Sequence, residues 1–460
     1  MNILYLSLIL LAQTPEAEQI PAPGTEVVFP PGSDPSEIAE GPIIFASPKV
    51  NKIEIRGNKN TRENVIRREL TFVPGDYLTP EVIAGSEKAL MSTGIFARVR
   101  IEAAEPEVSE SEVIVEVTEF TFPLPYPTIG IDASSGWYIG GGVLYPNLLG
   151  QGLHIDAGGD IGFKVKTTPR YTWYTNLEFP VTYNRRHGEK LGYRYFEVWR
   201  KDAEITRREN RLFYKQSVRP WRPLTFFLEG GWLRIKSFAP DSVCTPTFCP
   251  DSVDASLYLQ PGFILDFRDD VLFPTKGALV VGAFTYNPGL KEAYQTQRAC
   301  SLSVAGYYPL GKTVIAGNIW TYQQLDSIPV YNTLYLGNAR IVRGWADTSQ
   351  VDQCLTVASV ELRRYFWSTE LPAIGEFKVG GNLFFDIGAA HEPGLPPLYL
   401  ANTEEDTHDG LLTGTGFGLT LEAIGFVVKG EIAWGIGAEE GALSFIPLPI
   451  RYPVYFGWRF

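Results

Sequence analysis

From residue 123 to the C-terminus, apolar side chains recur at every second position in segments of about ten residues, separated by turn-forming clusters. In Leu153–Phe163, one face carries Leu153, Ile155, Ala157, Ile161 and Phe163, and the other carries His154, Asp156 and Asp160. Phe377–Ala389 repeats the arrangement. Phe377, Val379, Leu383, Phe385 and Ile387 point one way, and Lys378, Asn382 and Asp386 the other. A period of two predicts strands with lipid on one side and a polar lumen on the other. A soluble two-layer sandwich also alternates. At this length it would divide into several domains with linkers, and no linker interrupts residues 123–460. At about 21 residues per strand and connection the segment accommodates sixteen strands, although counting alone permits fourteen or eighteen.

Residues 49–120 follow a different pattern, β-α-α-β-β. Val50–Gly57 alternates as a strand. Asn60 with Glu63 predicts a capping box opening a helix through Leu70. Thr79-Pro80 predicts a second helix to Ser92, stopped by Gly94. Ile95–Glu102 and Glu112–Thr118 alternate as two further strands. The fold class is therefore an α+β module followed by an all-β antiparallel membrane barrel. Ahead of the module, residues 1–12 read as a secretory signal core, although no basic residue precedes Lys49. Residues 13–48, rich in Pro, Glu, Gly and Ser, read as a disordered linker.

Composition narrows the function. The 460 residues carry 40 basic and 52 acidic side chains, net −12, which excludes a nucleic-acid binder that needs a basic stripe. No apolar run approaches the roughly 20 residues of a membrane helix. With 27 Phe, 23 Tyr, 10 Trp and 45 Gly against 2 Met, the chain has the composition of a large β-structure. His154, His187, His391 and His408 are scattered, so no catalytic or metal-ligating cluster is visible; neither an enzyme, a metal nor a cofactor is expected. Cys244 and Cys249 lie in a Pro-flanked loop where a local disulfide suits an exported protein, whereas Cys300 and Cys354 read equally as a second pair or as free thiols.

Several motifs, in order, carry a resemblance. Leu90-Met-Ser-Thr-Gly-Ile-Phe-Ala-Arg-Val99 looks like the second helix and following strand of a POTRA module. Asn147-Leu-Leu-Gly150 resembles an early-barrel hairpin. Asp266-Phe-Arg268 with Pro274 and Gly277 is similar to a mid-barrel signature, and Ile341-Val342-Arg343-Gly344-Trp345 to the (V/I)RG(aromatic) motif of a long inward-folded loop. Together they resemble the BamA-like outer-membrane assembly superfamily. One POTRA is present where the bacterial assembly protein generally has several and the mitochondrial sorting and assembly barrel has one. The motif ends in Trp345 rather than the usual Phe or Tyr.

The resemblance implies sixteen strands, a bacterial outer-membrane location with POTRA in the periplasm (an organelle outer membrane being the alternative), and a loop tip inside the lumen. It nominates Glu361 and Asp386 as partners of Arg343. Alternation agrees, since Val360 and Leu362 flank Glu361, and Phe385 and Ile387 flank Asp386. Ordinary lumen-wall charge is the other reading of these acids. Phe456, Gly457, Trp458 and Phe460 resemble a C-terminal β-signal. Pro125 and Pro127 near the start of the first strand, and Pro453 in the last, predict a seam poor in hydrogen bonds, while Pro123 and Pro449 read as linker and turn residues. The implied role is folding and insertion of other β-barrels through that seam. POTRA would receive unfolded clients and accessory periplasmic or lipoprotein partners. A polypeptide transporter of the two-partner-secretion kind is the alternative, and a passive porin ranks third.

Overall fold

Residues 49–120 close around a core of their own before the wall of strands begins. The structure is a computed structural model. It describes residues 47–456 except 92, 106–107, 121–122, 133–135, 164–169, 180–185, 201–204, 222, 239–246, 250, 270–273, 338–340, 346–348, 372–374, 402–408, 424–425, 440–441 and 446–453. The expected signal core and linker lie outside the described residues.

β1 (Lys49–Arg56), α1 (Glu63–Arg67), α2 (Pro80–Met91), β2 (Phe96–Ala103) and β3 (Glu110–Glu119) follow the expected order. β3 is central, parallel to β1 and antiparallel to β2. Its alternate residues Val113, Val115 and Val117 pack with Val65 and Ile66 of α1 and Leu90 of α2. α2 begins as Thr79-Pro80 predicts, with the Val82 N–H donating to Thr79 Oγ1 at 3.4 Å.

α1 corrects an expectation. It spans five residues with Arg62 at the N-cap and no side-chain cap, so Asn60 and Glu63 form no capping box. The backbone N–H groups of Asn60 and Thr61 donate instead to the Glu119 carboxylate, at 3.0 and 2.7 Å. The Glu119 carboxylate at the end of β3 thus takes the Asn60 N–H that Glu63 would accept in a capping box.

The barrel starts with β4 (Leu124–Asp132), β5 (Gly136–Leu148), β6 (Leu153–Phe163) and β7 (Tyr171–Phe179). β8 (His187–Arg200), β9 (Ile205–Trp221), β10 (Leu224–Phe238) and β11 (Val253–Asp266) continue it. β12 (Gly277–Asn287), β13 (Gln297–Leu310) and β14 (Thr313–Gln324) follow. The chain then leaves the wall for a short hairpin, β15 (Leu334–Leu336) and β16 (Gln350–Asp352). It returns in β17 (Cys354–Leu371), β18 (Gly375–His391), β19 (Leu412–Ala423) and β20 (Phe426–Glu439). β21 (Ala442–Phe445) and β22 (Val454–Phe456) both pair with β20, so they are two pieces of one stave. Neighbouring staves are antiparallel, β14 pairs directly with β17, and the strand order is that of a barrel whose sixteenth and last stave stands beside β4.

Burial is inverted relative to a soluble protein. Leu212, Tyr214, Leu228, Leu259, Leu302, Ile319, Leu383, Phe385 and Leu419 are exposed on the outside, while Asp156, Glu209, Glu361, Arg363, Asp386 and Glu431 are buried within. Such an apolar exterior needs lipid. Among the described residues no helix is long and apolar enough to cross a membrane.

The module docks on the β5–β6 hairpin. Arg62 N–H donates to the Gly150 carbonyl at 3.0 Å, and Asn147 Nδ2 to Thr61 Oγ1 at 2.8 Å. Asn147 Oδ1 also accepts the Gly152 N–H at 2.9 Å, which ties the turn together. Gly150 has φ +69°, and a Cβ there would run into the Asn60 carbonyl. The Asn147–Gly150 motif thus joins module to wall.

Glu119 links these contacts to pH. Burial pushes its pKa up, but the donors of Thr61 and Asn60 outweigh burial and hold it below the ordinary value. A lowered carboxyl contributes stability that is present above the ordinary value of about 4.3 and lost as pH falls through the lowered one. Limited proteolysis at the junction should therefore show loosening in acid. Glu119→Gln should be cut more readily at pH 7 and lose the acid response; equal resistance of both proteins at both pH values would remove the tether.

Candidate functional site in the barrel lumen

The strands on either side of residues 325–353 present alternating inward side chains, and the loop reaches two parts of the wall. Near its start, Tyr331 is buried against Ile205 and Ile235. Its hydroxyl donates to Asp254 Oδ2 at 2.8 Å, and its carbonyl accepts from Arg207 Nη1 at 3.0 Å. Asp254 also accepts the Phe248 and Cys249 N–H groups, so one carboxylate holds both the loop and the β10–β11 connection. Sequence reading missed Tyr331, because nothing local distinguishes it from 22 other tyrosines among the chain's 23.

The far end is ionic. Arg343 Nε and Nη2 donate to the two oxygens of Asp386 at 2.7 and 2.8 Å, and its backbone N–H adds a third bond at 3.1 Å. Nη1 donates to Glu361 at 2.8 Å and to Glu431 at 2.9 Å. The guanidinium carbon lies 3.4 Å from the Phe384 ring centroid. Glu361 also accepts from Arg363 Nε at 2.8 Å and Lys429 Nζ at 3.2 Å, and Asn382 Nδ2 donates to Glu431 at 2.8 Å. Arg343, Glu361, Asp386 and Lys429 are wholly buried. Three cations facing three carboxylates make a neutral cluster, the condition under which buried charge is tolerated.

The structure therefore brings Arg343, Glu361 and Asp386 together and adds Glu431, Lys429 and Arg363. The sequence signal for these three was the same alternation: Lys429 and Glu431 are two apart on β20, as Glu361 and Arg363 are on β17. Gly344 has φ +98°, and a Cβ would strike the Trp434 backbone. Gly414 lies under the Arg343 carbonyl in the same way. Val342 is buried with Leu336 and Leu412. Trp345 donates its indole N–H to the Thr413 carbonyl at 2.6 Å, a bond that Phe at this position cannot make.

Other expected positions lie apart from this cluster. Asp266 and Arg268 form a local two-pronged ion pair at 2.8 Å on each prong. Asp269 accepts the Thr275 and Lys276 N–H groups. Gly277, at φ +102°, packs under the Phe267 carbonyl, and Pro274 is buried beside it in sequence. This is a sealed hairpin end. Phe456 ends β22, while Gly457, Trp458 and Phe460 lie outside the described residues. Cys249 is a buried free thiol and Cys244 lies outside the described residues, so the expected Cys244–Cys249 disulfide is not present on the described partner; Cys300 and Cys354 are free thiols as well.

The seam has a geometry of its own. The β4–β5 ladder runs without a register shift from Leu124↔Leu144 to Asp132↔Gly136. In an antiparallel ladder, alternate residues turn N–H and C=O toward the same neighbour. Pro125 and Pro127 have no N–H. An unbroken ladder therefore bonds through Leu124, Tyr126, Thr128 and Gly130, and turns Pro125, Pro127, Ile129 and Ile131 toward the last stave. That stave is described in two pieces, β21 and β22: from Phe445 to Phe456 it advances eleven residues while β20 advances eight, from Ile436 to Val428, and β22 is the piece that neighbours β4. Pro447, Pro449 and Pro453 fall between its two pieces.

Lipid outside, compensated charge inside and a loop tied across the lumen define a membrane barrel that is braced internally. Family models agree with that class: residues 48–119 match POTRA (surface antigen variable number repeat) and residues 147–443 match the Omp85 superfamily domain. The chain belongs to the Omp85 superfamily. It is similar to the outer membrane protein assembly factor BamA of Neisseria meningitidis, 24% identical over 324 residues, covering 64% of this chain and 39% of that protein. BamA of Neorickettsia risticii is 35% identical over 69 residues, 15% of this chain and 9% of that protein. The chain thus spans less than half the length of these curated relatives. BamA from Haemophilus ducreyi lacking POTRA domains 1–3 shares the fold at TM-score 0.62 and 16% identity, over 89% of this chain and 84% of that one. CdiB from Escherichia coli does so at 0.63 and 14%, over 90% and 76%. The barrel sits in the bacterial outer membrane, with the POTRA module in the periplasm.

Replacing Arg343 by Ala leaves three buried carboxylates with two cations, a loss of about 3–5 kcal/mol. The loop should become open to protease, and Arg343→Lys should rescue only in part, because an ammonium lacks the planar fork. Trp345→Phe should lower barrel stability by about 1 kcal/mol, the worth of one hydrogen bond. Unchanged protection in Arg343→Ala would remove the pin.

Proposed function

We propose that this protein folds and inserts β-barrel proteins into the outer membrane, and that its seam is the working element. The observation that carries the reading is the pairing of β4, which turns Pro125 and Pro127 toward the last stave. Half of the four donor positions on that edge are empty. A seam so weak can part within the bilayer and offer an edge to an incoming strand by β-augmentation. Unfolded barrel proteins are the proposed clients. POTRA, whose edges are β1 and β2, is the proposed receiving surface for them and for accessory periplasmic or lipoprotein partners. No catalytic chemistry is part of this role.

The lumen cluster supports the reading by its position. It ties the loop tip to β17, β18 and β20, staves close to the last one. A loop held across the lumen argues against a passive porin. Passage of a single unfolded client through the lumen is the second reading, favoured by the shared fold with CdiB.

Depletion of the protein, followed by quantification of outer-membrane barrel proteins, separates these roles. Broad loss of barrel proteins is expected. Loss of one secreted protein with the others unchanged would favour the transporter, and unchanged levels of all would overturn both.

A further inference from the structure

The outward face of β10 changes character part-way along. Phe226 and Leu228 stand exposed to lipid, and Trp232 follows on the same face. Next come Arg234 and Lys236, both exposed, and then Phe238. β10 is the seventh stave counted from β4, whose start adjoins the periplasmic module, so Arg234 and Lys236 lie toward its extracellular end. A cation on the lipid face of a barrel is costly at the bilayer midplane and tolerated near the headgroups. The two cations therefore stand at the level of the outer-leaflet headgroups.

Their neighbours leave them short of negative charge. Lys236 is directly opposite Arg208 of β9, and Arg234 is opposite Asn210. Like charges facing each other across a ladder repel. Arg208 has a partner of its own: its Nε donates to Glu197 of β8 at 2.9 Å, and Glu197 also accepts the Tyr195 hydroxyl at 2.5 Å. Among the described residues neither Arg234 nor Lys236 has a carboxylate partner, so three cations share one acid. On the other side β11 sets Val253 and Ala255 opposite them, apolar residues with no charge to offer. Phe238 faces both cations of the upper row, its ring centroid 5.2 Å from the Arg208 guanidinium carbon and 6.0 Å from Lys236 Nζ. Arg298 of β13 shows the alternative. It too is exposed near an extracellular end, but both oxygens of Asp326 accept from it, at 3.0 and 2.7 Å.

We propose that Arg234 and Lys236, with Arg208 and Phe238 beside them, bind the phosphate of an outer-leaflet lipid headgroup. A phosphate seated between Lys236 and Arg208 relieves the repulsion of the facing cations, and the planar Arg234 guanidinium can donate two parallel bonds to its oxygens. The acyl chains of that lipid then lie along the apolar track of Trp232, Leu228 and Phe226 below. Inorganic phosphate has the same charge chemistry but nothing to lay on that track, so the lipid is the occupant. The site is independent of the insertion role.

Native mass spectrometry of the full-length protein in neutral detergent, titrated with lipid A that carries both its phosphates, tests the site. The wild-type protein should retain the lipid. Arg234→Gln and Lys236→Gln should each weaken binding about fivefold, the factor that one basic side chain near an anionic lipid surface supplies, and the double variant about twenty-fivefold. Arg298→Gln, which removes a cation already paired, should bind as the wild type does. The folded band on a denaturing gel reports whether each variant folds. Lipid A stripped of its phosphates should not bind the wild-type protein, a result that needs no variant. Undiminished binding by the double variant, equal weakening by Arg298→Gln, or equal binding of the stripped lipid would overturn the proposal. Inorganic phosphate at millimolar concentration should leave the lipid in place; displacement would assign the site to the free ion and overturn the proposal as well.

Discussion

In the hydrocarbon of a bilayer no water is available to a backbone amide, so every N–H and C=O in the wall must find a partner in the wall. Fifteen continuous staves meet that demand in ladders such as β13–β14, paired from Ala299↔Gln324 to Leu310↔Thr313. One join does not. Proline removes a donor irrevocably, and here the ladder on one side of β4 fixes which side loses it. The exposed apolar residues around the barrel hold the molecule in lipid, and that same lipid makes the poor join consequential. In water an unpaired edge is a modest defect; in a bilayer it is costly.

The wall is also braced from within, across the lumen. The loop after β14 is fixed at Tyr331 to residues of β9 and β11, and at Arg343 to residues of β17, β18 and β20. A buried ion cluster is weak evidence for net stability, because desolvation offsets much of the attraction. Its value lies in geometry. Six donor contacts from one guanidinium and its own backbone N–H, to three carboxylates on three staves, allow few alternative arrangements, so the loop tip has one seat. Gly344 and Gly414 let the backbones approach closely enough for that seat to exist.

Alternation carried most of the fold. Leu153–Phe163 and the segment around Asp386 could be assigned lipid and lumen faces from spacing alone, because a strand's period of two is strict. The same rule placed Glu361 and Asp386 inside, and applied to β20 it would also have placed Lys429 and Glu431. What spacing could not show was contact between distant segments. Tyr331 and Asp254 are 77 positions apart and Arg343 and Glu431 are 88 apart, and no local pattern links such pairs. The missing capping box at Asn60 has the same origin: Glu119, 59 residues on, takes the amides that a local reading assigns to the helix start. The prolines of β4 were visible, but which neighbour they deprive depends on pairing parity, a property of the ladder rather than of the residues.

Residue-resolved amide hydrogen exchange of the wild-type protein in lipid nanodiscs tests the central claim most directly. Ile129 and Ile131, together with Val454–Phe456, should exchange through frequent local opening, orders of magnitude faster than Val304 and Ile319 in the β13–β14 ladder. Thr128 and Gly130, which bond to β5, should be slow. If both edges of β4 were protected as strongly as the β13–β14 ladder, the wall would be uniform and the account contradicted.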